Sequence, residues 1–114
     1  MDVKTEITDR VALYRLAGRL DALSSPQLES AVAPACSGDS PNIIFDMRDV
    51  SFVSSAGVRI ILMTAKKVAA AKGGFALFGV QPAVNQVFEI SGLQRFIPIV
   101  ADESEARSRL EPRA

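Results

Sequence analysis

The sequence lacks histidine and tryptophan altogether and contains a single cysteine. Histidine is the usual general base near neutral pH and the commonest transition-metal ligand. Its absence excludes Ser-His-Asp and Cys-His catalysis and most metal-dependent hydrolases. The lone Cys36 cannot form an intramolecular disulfide, and we interpret it as a small core residue in a reducing compartment. These absences favour a binding protein over an enzyme, with no catalytic residue, metal or cofactor expected.

The chain also lacks an excess of either charge and any long apolar run. Lys plus Arg and Asp plus Glu both number 13, so no net field would draw the protein to nucleic acid or to an anionic membrane. No glycine-rich phosphate-binding motif is present. The longest uncharged stretch, Gly73 to Phe88, contains polar residues and is shorter than the roughly 20 apolar residues that span a bilayer. With no signal-peptide pattern before Val3, we expect a cytoplasmic protein without membrane insertion.

What the chain does contain is typical of one globular domain. Its 114 residues are 48% hydrophobic and 23% charged, which is enough for one core and too short for two. We find no linker or internal repeat. We therefore expect a single domain over residues 1–114, with a structured core over about residues 3–110. We also expect a monomer or a weak dimer.

Apolar periodicity predicts two strands and a helix in the first part of the chain. Val3–Asp9 and Arg10–Leu16 alternate apolar and polar residues, as in an antiparallel hairpin that turns near residues 8–10. Ser25 then fits a helix N-cap and Pro26 the first helical position. This helix is predicted to end near Ala35.

Strands and helices alternate in the rest of the chain. Because strand-helix-strand units join parallel strands by right-handed crossovers, the fold class is α/β. We expect a mixed sheet of about five strands, antiparallel in the first hairpin and parallel elsewhere, with about four helices packed mainly on one face. The predicted elements are a strand over Asn42–Met47, a link over 48–53, a long helix over Ser55–Lys72, a strand over Phe75–Phe78, a helix from Pro82 to Gly92, a strand over Phe96–Val100 and a helix over Glu103–Leu110, with residues 112–114 frayed.

The turn that leads into the long helix is the best place for chemistry. Strand ends carry the sites of α/β sheets, and Ser54 and Ser55 lie where this helix begins. Unsatisfied backbone N–H groups and the positive end of the helix dipole would favour a phosphate attached there. The simpler alternative is that Ser54 only caps the helix and Ser55 occupies its first turn.

The string from Asp46 to Leu62 resembles the corresponding segment of STAS domains in bacterial anti-sigma factor antagonists. Gly18–Asp21, Gly73–Gly74 and Glu89–Leu93 carry further similarity, so nearly the whole chain takes part. The resemblance implies a STAS-like fold and a phosphorylation-controlled switch. In such a switch, the unphosphorylated chain sequesters an anti-sigma factor that is itself a serine kinase of the GHKL type. A serine phosphatase reverses the modification.

By the same resemblance, Ser55 is the phosphorylated residue, because Ser-Ser-Ala-Gly, an aliphatic residue and Arg occupy residues 54–59. Many members have Asp immediately before the acceptor. Ser54 stands at that position here, which makes Ser54 a second candidate acceptor. Asp21 resembles the acidic loop residue beside the acceptor, and alternatively it is an ordinary turn aspartate.

A helical wheel predicts which side chains of the long helix a partner would meet. Arg59, Ile60, Met63 and Lys67 would point away from the sheet. An apolar pair, Ile60 and Met63, edged by cations is typical of a docking patch, unless a terminal segment covers it. The candidate partner-binding residues are Asp21, Ser54, Ser55, Gly57, Arg59, Ile60, Met63 and Lys67.

Other functional interpretations stay open at this point. The chain could be a STAS subunit of a transporter or a lipid-trafficking complex, in which Ser55 would be structural. It could also be a partner-switching module whose output is not a sigma factor. A small enzyme would need Asp21, Asp46 or Asp49 as acid or base, but no paired second group is evident.

Overall fold

Five strands form one mixed sheet in a computed structural model that describes residues 1–110. Their order follows the sequence, with β1 antiparallel to β2 and all other neighbours parallel. This arrangement confirms the predicted fold class. The elements are β1 (Asp2–Thr8), β2 (Val11–Leu20), α1 (Ser25–Cys36), β3 (Asn42–Val53), α2 (Ser55–Ala70), β4 (Gly74–Phe78), α3 (Pro82–Ser91), a 3-10 turn (Leu93–Arg95), β5 (Ile99–Val100) and α4 (Glu103–Leu110).

The central strands are buried on both faces because their successive side chains alternate between two cores. The larger core lies beneath α1, α2 and α3, and Tyr14, Phe45 and Phe88 belong to it. The smaller core packs Phe78 with Ala106 of α4. Three helices therefore cover one face of the sheet and α4 covers the other, which confirms the prediction of helices mainly on one face.

The strand β3 is longer than predicted, and its extra length shapes the site. Residues 48–53, predicted as a link, continue β3 to Val53. The pairing with β2 shifts at two points, between Arg15 and Ala17 and between Gly18 and Arg19, and β3 carries an extra residue at each. At the second point Gly18 pairs with Val50, but the next residue, Arg19, pairs with Phe52. Such a bulge bends a strand and changes where its side chains point. Simple alternation could not show this, because a bulge interrupts the period of two.

Two helix boundaries differ slightly from the predicted ones. Ser24, rather than Ser25, is the N-cap of α1. The helix α2 ends at Ala70 instead of continuing to Lys72, because Lys72 adopts a left-handed conformation that no helix continues. These shifts leave the order of the elements unchanged.

The last strand is much shorter than predicted. Residues 96–98 do not belong to β5, since a 3-10 turn precedes them and Pro98 lacks the N–H that a strand interior requires. The frayed end predicted at residues 112–114 lies outside the described residues. Within residues 1–110, no helix has both the length and the apolar character needed to cross a bilayer.

Candidate functional site

The carboxyl ends of β2 and β3 meet at one edge of the sheet. Leu20 pairs with Val53, and the Ser54 amide donates a hydrogen bond to the Leu20 carbonyl oxygen at 2.9 Å. Asp21 and Ser54 are the next residues along their segments. The structure therefore brings the Asp21 loop and the Ser54 turn together at this edge, as expected for neighbouring parallel strands.

The first turn of α2 leaves backbone donors open beside Ser55. Helix starts leave four N–H groups without an intrahelical acceptor. The Ser54 amide bonds to Leu20, and the Gly57 amide reaches the Ser54 hydroxyl oxygen at 3.4 Å. Within residues 1–110, the amides of Ser55 and Ala56 have no acceptor, and this first turn carries no acidic side chain. A phosphate on the exposed Ser55 hydroxyl would meet these donors and the positive end of the helix.

Gly57 is required for the close approach of α2 to β2. A Cβ added at Gly57 would lie 2.7 Å from the Leu20 carbonyl oxygen and 2.9 Å from Val53 Cγ1. Both distances are shorter than close packing allows, so a side chain here would push the start of α2 outward. Gly57 is also buried, and any effect it has on a partner would act through the position of Ser55.

The Asp21 carboxylate organises the loop before α1. Its Oδ1 accepts hydrogen bonds from the amides of Leu23 and Ser24, each at 3.1 Å, and from the Ser24 hydroxyl at 3.2 Å. The bond from Ser24 contributes most to holding the pKa of Asp21 below its ordinary value. The other oxygen, Oδ2, lies 3.8 Å from Arg19 Nε. Asp21 thus serves as a turn aspartate through one oxygen and presents an ionised carboxylate at the site through the other.

The outer face of α2 agrees in part with the helical wheel. Arg59 and Lys67 are exposed, and Met63 is 36% exposed. These three side chains lie along the helix that begins at Ser55. Two cations and one apolar side chain are therefore available to a partner on this face.

Ile60 does not belong to that face, and the prediction that it points into solvent is wrong. It is 8% exposed and lies in the larger core with Leu28 and Val32 of α1. The reason is that α1 packs along this side of α2. A wheel drawn from one helix cannot show where a neighbouring helix lies.

Three further exposed residues border the site and were not singled out from the sequence. Leu23 is 92% exposed, Phe52 is 39% exposed, and the Arg19 guanidinium carbon lies 4.2 Å from the centre of the Phe52 ring. An apolar Leu23 in a short polar loop was a signal available in the sequence. The outward direction of Phe52 was not, since it depends on the bulge in β3.

The carboxylates considered for an enzyme are not assembled into one site. Asp46 is 4% exposed and accepts hydrogen bonds from Arg15 at 2.8 Å and from Arg48 at 2.8 and 3.0 Å. Burial alone would raise the pKa of Asp46, but these bonds outweigh it and hold the pKa below its ordinary value. An acid held ionised by two arginines is poorly suited to donate a proton. Asp49 is exposed and lies apart from the Asp21 loop.

The chain matches the family model described as the STAS domain over residues 2–106. It is 30% identical over 106 residues to BtrV of Bordetella bronchiseptica, which is named as an anti-sigma factor antagonist, covering 93% of this chain and 90% of that protein. The structure of the unphosphorylated anti-sigma factor antagonist SpoIIAA has a TM-score of 0.79 at 29% identity and 95% coverage of each chain. The phosphorylated form of SpoIIAA from Bacillus has a TM-score of 0.72 at 28% identity, covering 95% of this chain and 98% of that one.

Proposed function

This chain belongs to the STAS domain family, and on that premise we propose that it is an anti-sigma factor antagonist controlled by phosphorylation of Ser55. Unphosphorylated, it sequesters an anti-sigma factor that is also a serine kinase of the GHKL type. Similarity to anti-sigma factor antagonists along nearly the whole chain supports the first part of this proposal. The second part rests on one observation, the exposed Ser55 hydroxyl at the open start of α2.

Ser55 is favoured over Ser54 as the acceptor by the environment of the two hydroxyls. The Ser54 oxygen caps α2 by accepting from the Gly57 amide, and Ser54 is half-buried. Ser55 is exposed, and among the side-chain hydrogen bonds within residues 1–110 the one in this turn involves the Ser54 hydroxyl and not that of Ser55. A kinase must reach the oxygen from solvent, so the exposed Ser55 hydroxyl is the more accessible acceptor.

The proposed partner surface surrounds Ser55 and comes from both neighbouring segments. The Asp21 carboxylate and the exposed Leu23 and Phe52 lie on the loop and strand side, and Met63 lies on the helix side. An interface commonly has an apolar buried centre that is depleted of charged residues, surrounded by a polar rim. Arg59 and Lys67 would then lie at its polar rim.

Phosphorylation would act by electrostatics and desolvation rather than by refolding. The kinase transfers the terminal phosphoryl group of ATP, so that the Ser55 oxygen–phosphorus bond forms as the bond to ADP breaks. The hydroxyl proton passes to a base on the kinase. The product carries about 1.5 to 2 additional negative charges at a surface that binding must dehydrate. Binding also removes water from between the phosphoserine and the ionised Asp21, which strengthens the repulsion between them. The kinase complex is therefore weakened until a serine phosphatase hydrolyses the phosphoserine.

The proposal is tested with a GHKL-type anti-sigma kinase, ATP and variants at the two serines. Ser55→Ala should bind the kinase as the unmodified chain does and should not become phosphorylated. Ser55→Asp should bind at least about tenfold more weakly, which is a loss of about 1.4 kcal/mol. Binding is measured by titration calorimetry and phosphorylation by phosphopeptide mass spectrometry. The last part of the proposal, that the chain acts on a sigma factor, is tested by measuring whether the unmodified chain releases a sigma factor from the kinase.

Ser54→Ala is the matched control, because it removes the neighbouring hydroxyl and leaves Ser55 in place. It should still be phosphorylated at residue 55. If the unmodified chain, Ser55→Ala and Ser55→Asp bind the kinase equally, the switch mechanism is wrong. Phosphate found on Ser54 instead would sink the choice of acceptor.

A further inference from the structure

A cleft of about 640 Å³ opens at the opposite edge of the sheet from Ser55. It lies at the amino ends of the parallel strands, where Val11, Asn42 and Gly74 pair across β2, β3 and β4. Its volume is within the roughly 300–1,000 Å³ of small-molecule sites. The proposed function makes no use of this cleft.

The walls of the cleft carry three cations and one carboxylate. The cations are Arg10 from the β1–β2 turn, Lys72 after α2 and Arg109 from α4, and the carboxylate is Asp39. Within residues 1–110, none of the ion pairs involves any of these four side chains. Parts of the chain that are distant in sequence thus converge on a concave surface with an excess of positive charge.

Unfavourable backbone conformations are concentrated around the cleft. Arg10, Ser40 and Lys72 line it, and their φ angles are 66°, 48° and 62°. Residues other than glycine rarely adopt this left-handed conformation. Arg10 is the second central residue of the hairpin turn, a position at which glycine usually follows Asp or Asn. Here Asp9 is followed by a cation that reaches the cleft.

Lys72 occupies a second position that glycine usually fills. The Lys72 amide donates to the Ala69 carbonyl at 3.0 Å, and the Gly73 amide donates to the Val68 carbonyl at 2.8 Å. These bonds form the usual glycine-containing end of a helix, with Lys72 at the left-handed residue. Glycine is found one residue later, where a Cβ would lie only 1.8 Å from the Pro41 carbonyl oxygen. Both left-handed cations therefore stand where glycine would be less strained.

We propose that this cleft binds a small molecule that carries two or more adjacent phosphate groups. The cleft is lined by Arg10, Lys72 and Arg109, and its volume is larger than that of one phosphate group. Each of the two guanidinium groups can donate a pair of N–H hydrogen bonds to a phosphate. Ser40 adds a neutral donor. Strained residues persist where the surroundings hold them, and they are concentrated at ligand sites.

The first experiment titrates the isotopically labelled chain with tripolyphosphate at low ionic strength and follows the amide resonances by NMR. Saturable shifts are expected at residues 40, 42 and 72–74, with none at Ser55 or Ala56. ATP and citrate are titrated in parallel. If ATP binds more tightly than tripolyphosphate, the ligand of the cleft is a nucleotide. If the two bind equally, the cleft recognises the phosphate chain alone. Equal binding of citrate would overturn the preference for phosphate.

The second experiment separates binding from folding with Arg10→Gly and Lys72→Gly. Each should weaken tripolyphosphate binding about three- to tenfold, because one cation is lost from a partly solvated site. Each should also raise Tm by about 2–4 °C, because glycine relieves the left-handed strain. Weaker binding by a more stable protein cannot be explained by damage to the fold.

Two controls match these variants. Asp9→Gly relieves a φ of 51° at a residue that does not line the cleft, and Lys66→Ala removes an exposed cation elsewhere. Both should leave tripolyphosphate affinity within about twofold of the parent. The inference is overturned if tripolyphosphate produces no saturable shifts, if the shifts centre on Ser55, or if Arg10→Gly and Lys72→Gly bind as well as the controls.

Discussion

The position of the Ser55 hydroxyl depends on a residue that no partner can touch. Gly57 lets α2 begin against the Leu20 carbonyl, and the Ser54 amide bonds to that same carbonyl. The motif around Ser55 was visible in the sequence, and its glycine could be matched to a family pattern. That Gly57 is buried follows only from the packing of α2 on β2. Its role is therefore to position Ser55.

We expect Gly57→Ala to be destabilised by about 1–3 kcal/mol, because the added methyl group overlaps Leu20 and Val53. Urea unfolding measures the change. Gly38→Ala is the matched control and should be nearly neutral, since its Cβ would lie 3.7 Å from the nearest atom, the Ala35 carbonyl oxygen. Equal stability of the two variants would show that Gly57 is not needed for this close approach.

At the scale of one element, α2 divides its side chains between three environments. One side packs on the sheet through Ile61 and Val68, one packs beside α1 through Ile60, and the outer side exposes Met63. A period of 3.6 residues identifies the helix and its sheet-facing side. It cannot distinguish the side that α1 covers from the side that remains exposed, because both adjoin the sheet-facing stripe. The correction at Ile60 follows from this.

We expect Ile60→Ala and Met63→Ala to affect stability differently, because Ile60 lies in the core and Met63 lies on the surface. Ile60→Ala should cost about 2–4 kcal/mol of unfolding free energy, because a buried side chain leaves a cavity. Met63→Ala should change stability by less than about 0.5 kcal/mol. On the proposed function, Met63→Ala should still weaken kinase binding. Denaturant unfolding and calorimetric titration measure the two effects, and comparable destabilisation of both variants would contradict the assignment of Met63 to the surface.

At the scale of the whole molecule, α4 is held to the second face of the sheet by packing and by charge. Arg15 of β2 bonds Asp46 at 2.8 Å and Glu103 of α4 at 3.2 Å, and Glu103 also bonds Arg107 at 3.0 Å. The hydrogen bond from Arg107, and then the one from Arg15, hold the pKa of Glu103 below its ordinary value despite partial burial. Four charged side chains therefore connect β2, β3 and α4, and the connection requires ionised carboxylates.

This connection predicts how stability depends on pH. Folding lowers the pKa of Asp46, so the unfolded chain binds a proton there more readily than the folded chain. The stabilisation is fully present above the unfolded pKa of about 3.9 and is lost as the pH falls through the lower folded pKa. Asp46→Asn should therefore lower the free energy of unfolding by about 1–3 kcal/mol at pH 7. This loss is smaller than for a fully buried ion pair, because both arginines are partly exposed.

The cost of Asp46→Asn should shrink as the pH falls below about 4, because the unfolded parent then binds a proton at residue 46 that the folded carboxylate takes up only at its lower pKa. Urea unfolding at a series of pH values measures this convergence. Asp49→Asn, which removes an exposed carboxylate from the same strand, is the control. Its free energy of unfolding should stay within about 0.5 kcal/mol of the parent value. A constant Asp46→Asn penalty across the acid range would contradict the ion-pair explanation.

The sequence by itself determined the α/β class, the order of the elements, the start of α2 at Ser55 and the resemblance that directed attention to Ser54 and Ser55. These features depend on local periodicity, capping and short motifs, which neighbouring residues encode. Only the tertiary structure decided that Ile60 is covered by α1, that a bulge turns Phe52 outward, and that Arg10, Lys72 and Arg109 meet around one cleft. Each of these depends on contacts between segments that are distant along the chain. A local sequence pattern does not indicate which distant segment will pack against it.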